Sequence, residues 1–181
     1  DLIPAALDGG QIGFNTGPDD DTLNTTQDIN DGNYHHIVIT RNASTGEKQI
    51  YVDGVLDTSD TATLNPLTDP RSLAIGCKID ASQSDPNNLN PENYFDGLLD
   101  DIQIYSGILS PGQVAQLYAS PGATLTTLIA APLVARYNFE DTNSPGLDSS
   151  GNGNDANCGS GNGSTNNLNT FSTDPAVGSY A

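Results

Sequence analysis

The sequence predicts an all-β protein with one short helix. Three observations carry that reading. The first is composition: 20 of the 23 acids are Asp, with 19 Asn, 19 Gly and 11 Pro in 181 residues. These residues favour turns and disfavour helix interiors, each for its own backbone reason. The second is pattern. Apolar residues, 35% of the chain, fall in short runs rich in β-branched side chains, as half-buried strands require. The third is that only one segment carries a full set of helix signals.

The elements follow in order. Gln11-Ile12-Gly13-Phe14-Asn15 is a weak strand after the turn Asp8-Gly9-Gly10. Residues 16–33 read as acidic loop, and the run Asp19-Asp20-Asp21 as a solvated stretch of it. Tyr34 to Arg41 is a β-branched strand, Asn42 to Gly46 a turn, and Glu47 to Val52 the return strand closed by Asp53-Gly54, a hairpin signature. Val55-Leu56 opens a short strand before a Thr/Asp-rich loop. Ser72 to Ile79 is a further strand, and residues 80–93 a polar loop. Tyr94-Phe95-Asp96-Gly97 leads into a long strand, Leu98 to Tyr105, in which Ile102 and Ile104 alternate with Asp101 and Gln103, so one face is buried.

The helix starts at Ser110, an N-cap, with Pro111 at the first helical position and Gln113 completing a capping box. Val114, Leu117 and Tyr118 form its apolar stripe, and Ser120-Pro121-Gly122 ends it. Residues 123–132 read as a linker or connecting strand. Leu133 to Glu140 is a new strand, followed by a Gly/Asn/Ser-rich stretch. Val177 to Ala181 looks like the opening of another strand.

Charge excludes several function classes. With 5 basic residues against 23 acids the net charge is -18. Such a chain has nothing to neutralise a row of phosphates, so nucleic acid and anionic membrane surfaces are excluded as partners. No apolar run approaches the roughly 20 residues of a membrane span. The N-terminus has neither a signal-like segment nor a Met, so the chain is expected to be processed or excerpted from something longer. Cys77 and Cys158 form no C-x-x-C or Cys/His cluster, which argues against zinc and redox motifs. Whether they pair is left open by the sequence.

Three segments resemble the laminin-G-like, concanavalin-A-like jelly-roll family. Asp31-Gly32-Asn33-Tyr34-His35-His36-Ile37-Val38-Ile39-Thr40, with Ile50-Tyr51-Val52-Asp53-Gly54-Val55, resembles the "DGxWHHVAxT…LYVDG" hairpin, with Tyr34 in place of the usual Trp. Phe95-Asp96-Gly97-Leu98-Leu99-Asp100-Asp101-Ile102-Gln103-Ile104-Tyr105, with Leu109-Ser110, is similar to the "FxGxIDEVRIYxRALS" strand. Leu133 to Glu140, with Asp148-Ser149-Ser150-Gly151-Asn152-Gly153-Asn154-Asp155, resembles the family's opening strand and "DSSGNGND" loop. The resemblance implies a jelly-roll β-sandwich of two antiparallel sheets.

The segment order differs from the family's. The late part comes first here, and the opening part follows. The expected organisation is a jelly roll over 1–120, a linker over 121–132, and over 133–181 the opening strand and loop of a second or complemented jelly roll. Three arrangements would account for the order. The chain spans the end of one repeat and the start of the next; or it is a circular permutant, with the strand from Leu133 beside Ile102–Tyr105; or residues 133–181 complete a neighbouring copy by strand donation.

Calcium is the cofactor that the resemblance implies. Its site would draw on Glu140, Asp141, Asp148, Asn152, Asn154, Asp155, Asp100 and Asp101, since Ca²⁺ takes six to eight oxygens. The competing reading is that these residues cap their own turns. His35 and His36 are adjacent, so on a strand they face opposite sides and do not chelate one ion together. The chain lacks an E-x-D-x-x-E strand and a nucleophile elbow, which argues against hydrolytic chemistry. Asn24, Asn42 and Asn162 begin N-glycosylation sequons. Tyr94 and Phe95 border the polar loop, as packing or as a ligand surface.

The expected role is a non-catalytic, calcium-stabilised adhesion or recognition module at the cell surface or outside the cell. Its partner would be a glycan or an extracellular protein. Two alternatives stand beside it: a filament subunit joined to neighbouring copies by strand donation, and an accessory domain of a carbohydrate-active enzyme.

Overall fold

The computed structural model describes residues 9–15, 22–61, 75–76, 78–79, 91–92, 95–125, 132–141 and 146–156. The expected strand Ser72 to Ile79 and polar loop 80–93 fall largely outside these residues, as do the Asp19–Asp21 run, both cysteines, Tyr94 and residues 177–181. The chain divides into two compact units interleaved along the sequence. One comprises Asp1–Thr68, Gly107–Pro132 and Val177–Ala181, and the other Asp69–Ser106 and Leu133–Ala176. All strand pairing among the described residues is antiparallel.

In the first unit, β1 (Gly13–Asn15) pairs with β2 (Thr22–Asn24), and β3 (Ile37–Arg41), β4 (Glu47–Val52) and β5 (Val55–Thr61) form a meander. β2 lies in the stretch expected to be loop. Its single apolar residue, Leu23, gives no period of its own, yet it faces Phe14 across the ribbon. Phe14, Leu23 and Ile50 form a buried cluster, with Ile37 and Ile39 packed against it. Burying one side chain of this size contributes about 1.5–3 kcal/mol. β5 runs through the Thr/Asp-rich stretch because its backbone pairs with β4 as far as Thr61↔Glu47. Backbone pairing is indifferent to the polarity of the exposed side chains at the sheet edge.

The β4–β5 connection is the two-residue turn Asp53-Gly54, with φ of 50° and 79°. Positive φ at both central residues is the type I′ condition that Asp-Gly satisfies. Helix α1 (Pro111–Ala119) is capped as its sequence predicts. Ser110 Oγ accepts from the Gln113 backbone N–H, and the Gln113 side chain accepts from the Ser110 N–H at 2.8 Å. Val114 and Leu117 are buried. Tyr118 lies over the Asp53-Gly54 turn, where a Cβ on Gly54 would sit 3.0 Å from its ring.

In the second unit, the short strands β6 (Lys78–Ile79) and β7 (Pro91–Glu92) pair with one another. β8 (Ile102–Tyr105) pairs with β9 (Leu133–Tyr137), with Ile102 opposite Tyr137 and Gln103 opposite Arg136. The strand from Leu133 therefore lies beside Ile102–Tyr105 of its own chain. β8 is shorter than the expected Leu98–Tyr105 strand. Asp101 has φ of 46°, a left-handed conformation that ends regular strand geometry, and Leu98 and Leu99 stay exposed. β9 also stops early, since Phe139 has φ of 55°. Ala135 and Tyr137 supply its buried face.

Candidate functional site

The residues implied as calcium ligands all fall in the second unit, around β9. Asp148 is the centre of the loop, at 6% exposure. Its Oδ1 accepts from the backbone N–H of Arg136 and of Ser150, both at 2.9 Å, and its Oδ2 accepts from the Asn154 N–H at 2.9 Å. Its own N–H donates to Asp155 Oδ1 at 2.9 Å. Burial alone would raise this carboxyl's pKa. The Ser150 hydroxyl and the three backbone N–H groups outweigh it and hold the group well below the usual carboxylate range.

The loop is laced to β9 by side-chain amides. Asn152 Nδ2 donates to the carbonyls of Leu133 and Val134 at 2.9 and 3.1 Å. Asn154 Nδ2 donates to the Val134 carbonyl at 2.9 Å. Ser149 N–H donates to the Arg136 carbonyl at 2.8 Å. Tyr137, buried in β9, donates its hydroxyl to the Asn154 carbonyl at 2.6 Å. Burial, then the charges of Asp148 and Asp155, push that phenol upward.

Asp100, Asp101 and Glu140 form the other part of the implied set. Asp100 has a raised pKa, first from burial and then from the charges of Asp101 and Glu140, against a hydrogen bond from the Asp101 N–H at 2.8 Å and the nearby Arg136. Asp101 Oδ1 accepts from Arg136 Nε at 2.6 Å, and its Oδ2 accepts from Gln103 Nε2 at 2.9 Å. Gln103 in turn accepts from the Tyr105 hydroxyl at 2.6 Å.

This geometry bears on the fit of a calcium ion. The Asp148 carboxylate is filled by N–H donors, and the Asn152 and Asn154 amides are turned to donate into strand carbonyls. Among the described residues no group of three or more His, Cys, Asp or Glu side chains is placed to hold a metal ion. As arranged, the Asp148 carboxylate and the Asn152 and Asn154 amide nitrogens serve the loop's own hydrogen bonds, as the turn-capping reading expects. Sequence reading missed Arg136, which ties Asp101 to β9. The available signal was scarcity: with 5 basic residues among 23 acids, an Arg inside a strand is expected to meet a carboxylate.

In the first unit the adjacent histidines diverge. His35 lies between two carboxylates, Nδ1 at 2.8 Å from Asp53 Oδ2 and Nε2 at 3.2 Å from Asp31 Oδ1. His36 turns its ring toward Tyr118 of α1, with centroids 5.9 Å apart. Tyr34 is 41% exposed and Phe95, in the second unit, 49%. Asn42 uses its Oδ1 to accept from the Ser44 and Thr45 N–H groups of the β3–β4 turn.

Residues 4–115 match the laminin-G-type family described as the concanavalin A-like lectin/glucanases superfamily. The chain belongs to this family. The motifs of this laminin-G-like chain lie where the fold needs them, in the β3–β4–β5 meander and at β8. Among curated proteins it is 32% identical over 94 residues to "Sushi, von Willebrand factor type A, EGF and pentraxin domain-containing protein 1" of Rattus norvegicus, and 31% identical over 94 residues to the protein of that name from Mus musculus. Each match covers 51% of this chain and 3% of the relative's length. Among solved structures it is similar to residues 221-444 of an S-layer domain-containing protein from Clostridium thermocellum ATCC 27405, at 18% identity and a TM-score of 0.41, covering 60% of this chain and 50% of that one. Membership fits an extracellular module on an all-β scaffold. No helix among the described residues is long and apolar enough to cross a membrane.

Proposed function

We propose that this chain is a non-catalytic recognition or adhesion module of an extracellular or cell-surface protein, binding a glycan or another protein. The observation that carries the reading is the family match over residues 4–115. The exposed Tyr34 and Phe95 support it, since aromatic rings and flanking polar groups suit both sugars and protein surfaces. The charge of -18 favours neutral or basic partners over anionic ones. A fold by itself does not assign a ligand, so the test is direct. The native chain is applied to a glycan array and an extracellular-protein array at two ionic strengths. Saturable binding to one class supports the proposal, and two blank arrays overturn it.

Calcium enters this proposal with a condition. An ion that engaged the Asp148 carboxylate would compete with the N–H groups of Arg136, Ser150 and Asn154. A melting temperature that rises with Ca²⁺ and falls with a chelator would support calcium stabilisation, because a ligand of the native state alone stabilises it by mass action. No shift at saturating Ca²⁺ removes calcium from the proposal. Strand donation has a similar condition: β9 would have to leave β8 of its own chain.

A further inference from the structure

The contact between His35 and its two carboxylates is independent of what the chain binds. His35 precedes β3, Asp53 is in the β4–β5 turn, and Asp31 lies four residues before His35. Both ring nitrogens point at carboxylate oxygens, at 2.8 and 3.2 Å. A neutral imidazole has one N–H and one lone pair, so it satisfies one carboxylate and turns a lone pair on the other. Only the imidazolium donates to both.

We propose that Asp31, His35 and Asp53 form a pH-sensitive latch that fastens residues 31–36 to the Asp53-Gly54 turn. The two acids are held in place by other bonds. Asp53 Oδ1 accepts from the His36 N–H at 2.9 Å, and the Asp53 N–H donates to the His36 carbonyl at 2.9 Å. Asp31 accepts from the Asn33 N–H at 2.8 Å and from Asn33 Nδ2 at 3.0 Å. Asp53 is thus anchored in the hairpin, and Asp31 is held in its own turn by Asn33, on either side of the ring that changes charge. The His35 side chain is 16% exposed and that of Asp53 35%, so solvent screens this pair incompletely, whereas Asp31, at 52%, is the more screened partner.

Two further titratable side chains flank His35 in sequence. His36, its neighbour, faces Tyr118 of α1, and Tyr34 is the exposed residue before it. The Asp53 hydrogen bond raises the His35 pKa, partial burial opposes it, and the Asp31 bond adds to the rise. Asp31 is lowered, chiefly by the Asn33 N–H. The sign follows. Stability from the latch is fully present below the unfolded histidine value near 6.5 and is lost as pH rises through the higher folded value.

The test is a ¹⁵N NMR titration of both histidines in the full chain, with D31N and H35Q variants. His35 is expected to titrate above 6.5. D31N is expected to weaken its proton affinity by about threefold or more, where tenfold corresponds to one pKa unit, and to leave His36 unchanged. The wild-type melting temperature is expected to fall between pH 6 and 9 more steeply than that of H35Q. His35 titrating at or below 6.5, no effect of D31N, or equal pH slopes for wild type and H35Q would each overturn the latch. D31N leaves the Asp53 hairpin bonds intact, so the titration is readable even where H35Q folds poorly.

Discussion

Asp148 Oδ1 lies 2.9 Å from the backbone nitrogen of Arg136, so a loop carboxylate caps a strand amide twelve residues upstream. The same carboxylate takes N–H groups from Ser150 and Asn154. One side chain thus joins the start and the end of the loop to β9, beside the ties from Asn152, Asn154 and Tyr137.

Replacing Asp148 should therefore be costly. In D148A three partly buried N–H donors lose their acceptor, and full burial of one unsatisfied donor would cost about 1–3 kcal/mol. Allowing for water reaching part of the loop, the loss is about 2–4 kcal/mol. At about 2–4 °C per kcal/mol for a domain of this size, the melting temperature should drop by roughly 5–15 °C. A thermal melt followed by near-UV circular dichroism checks this. A change within a degree would show that the loop has other anchors of equal strength.

Acid should act on the same group. The folded Asp148 carboxyl lies below its unfolded value. Its contribution is present above the unfolded value near 3.9 and is lost as pH falls below it. Wild-type stability should decline from about pH 4 downward, and D148N should show a flatter acid limb. Chemical denaturation at a series of pH values gives both curves, and parallel acid limbs would refute the assignment.

Gly54 and Gly151 offer a controlled comparison. Both have positive φ, at 79° and 86°. A Cβ on Gly54 meets the Tyr118 ring at 3.0 Å, whereas one on Gly151 meets nothing within 4 Å. G151A should cost only backbone strain, about 1 kcal/mol. G54A should cost that plus the displacement of Tyr118, so its melting temperature should be the lower of the two. Equal losses would mean that α1 yields freely at this contact.

The helix cap gives a fourth expectation. S110A removes the oxygen that accepts from the Gln113 N–H. Loss of such a cap costs about 0.5–2 kcal/mol. Urea denaturation should show a lower midpoint with an unchanged slope, and a slope change would indicate that the helix end contributes to the compactness of the unfolded chain.

The legibility of the sequence varied with the range of the interaction that fixes each element. The helix was readable because Ser110, Pro111 and Gln113 act within one turn. The β3–β4 hairpin and the Asp53-Gly54 turn were readable for the same reason. β2 was not, because Leu23 gains its place only from Phe14 across the ribbon. The end of β5 was hidden because Thr58 to Thr61 pair through backbone, where side-chain pattern is silent. At the loop, the identities of Asp148, Asn152 and Asn154 were legible, but their hydrogen bonds were not. Side-chain amides that donate to strand carbonyls and those that offer oxygen to an ion are the same residues in a sequence. The union of Arg136 with Asp101 is equally non-local.

The interleaving of the two units has a consequence for synthesis. The meander of the first unit packs against α1, and Gly54 waits for Tyr118, yet the stretch between them belongs largely to the second unit. At about 5–20 residues per second, the ribosome delivers Tyr118 only seconds after the Asp53-Gly54 turn. β8 emerges in that interval and must itself wait for β9. Each unit is therefore born incomplete: the meander is made but lacks α1, while β8 lacks its partner strand β9. Vectorial synthesis therefore delivers α1 to the first unit before it delivers β9 to the second, so the two are completed in turn rather than together.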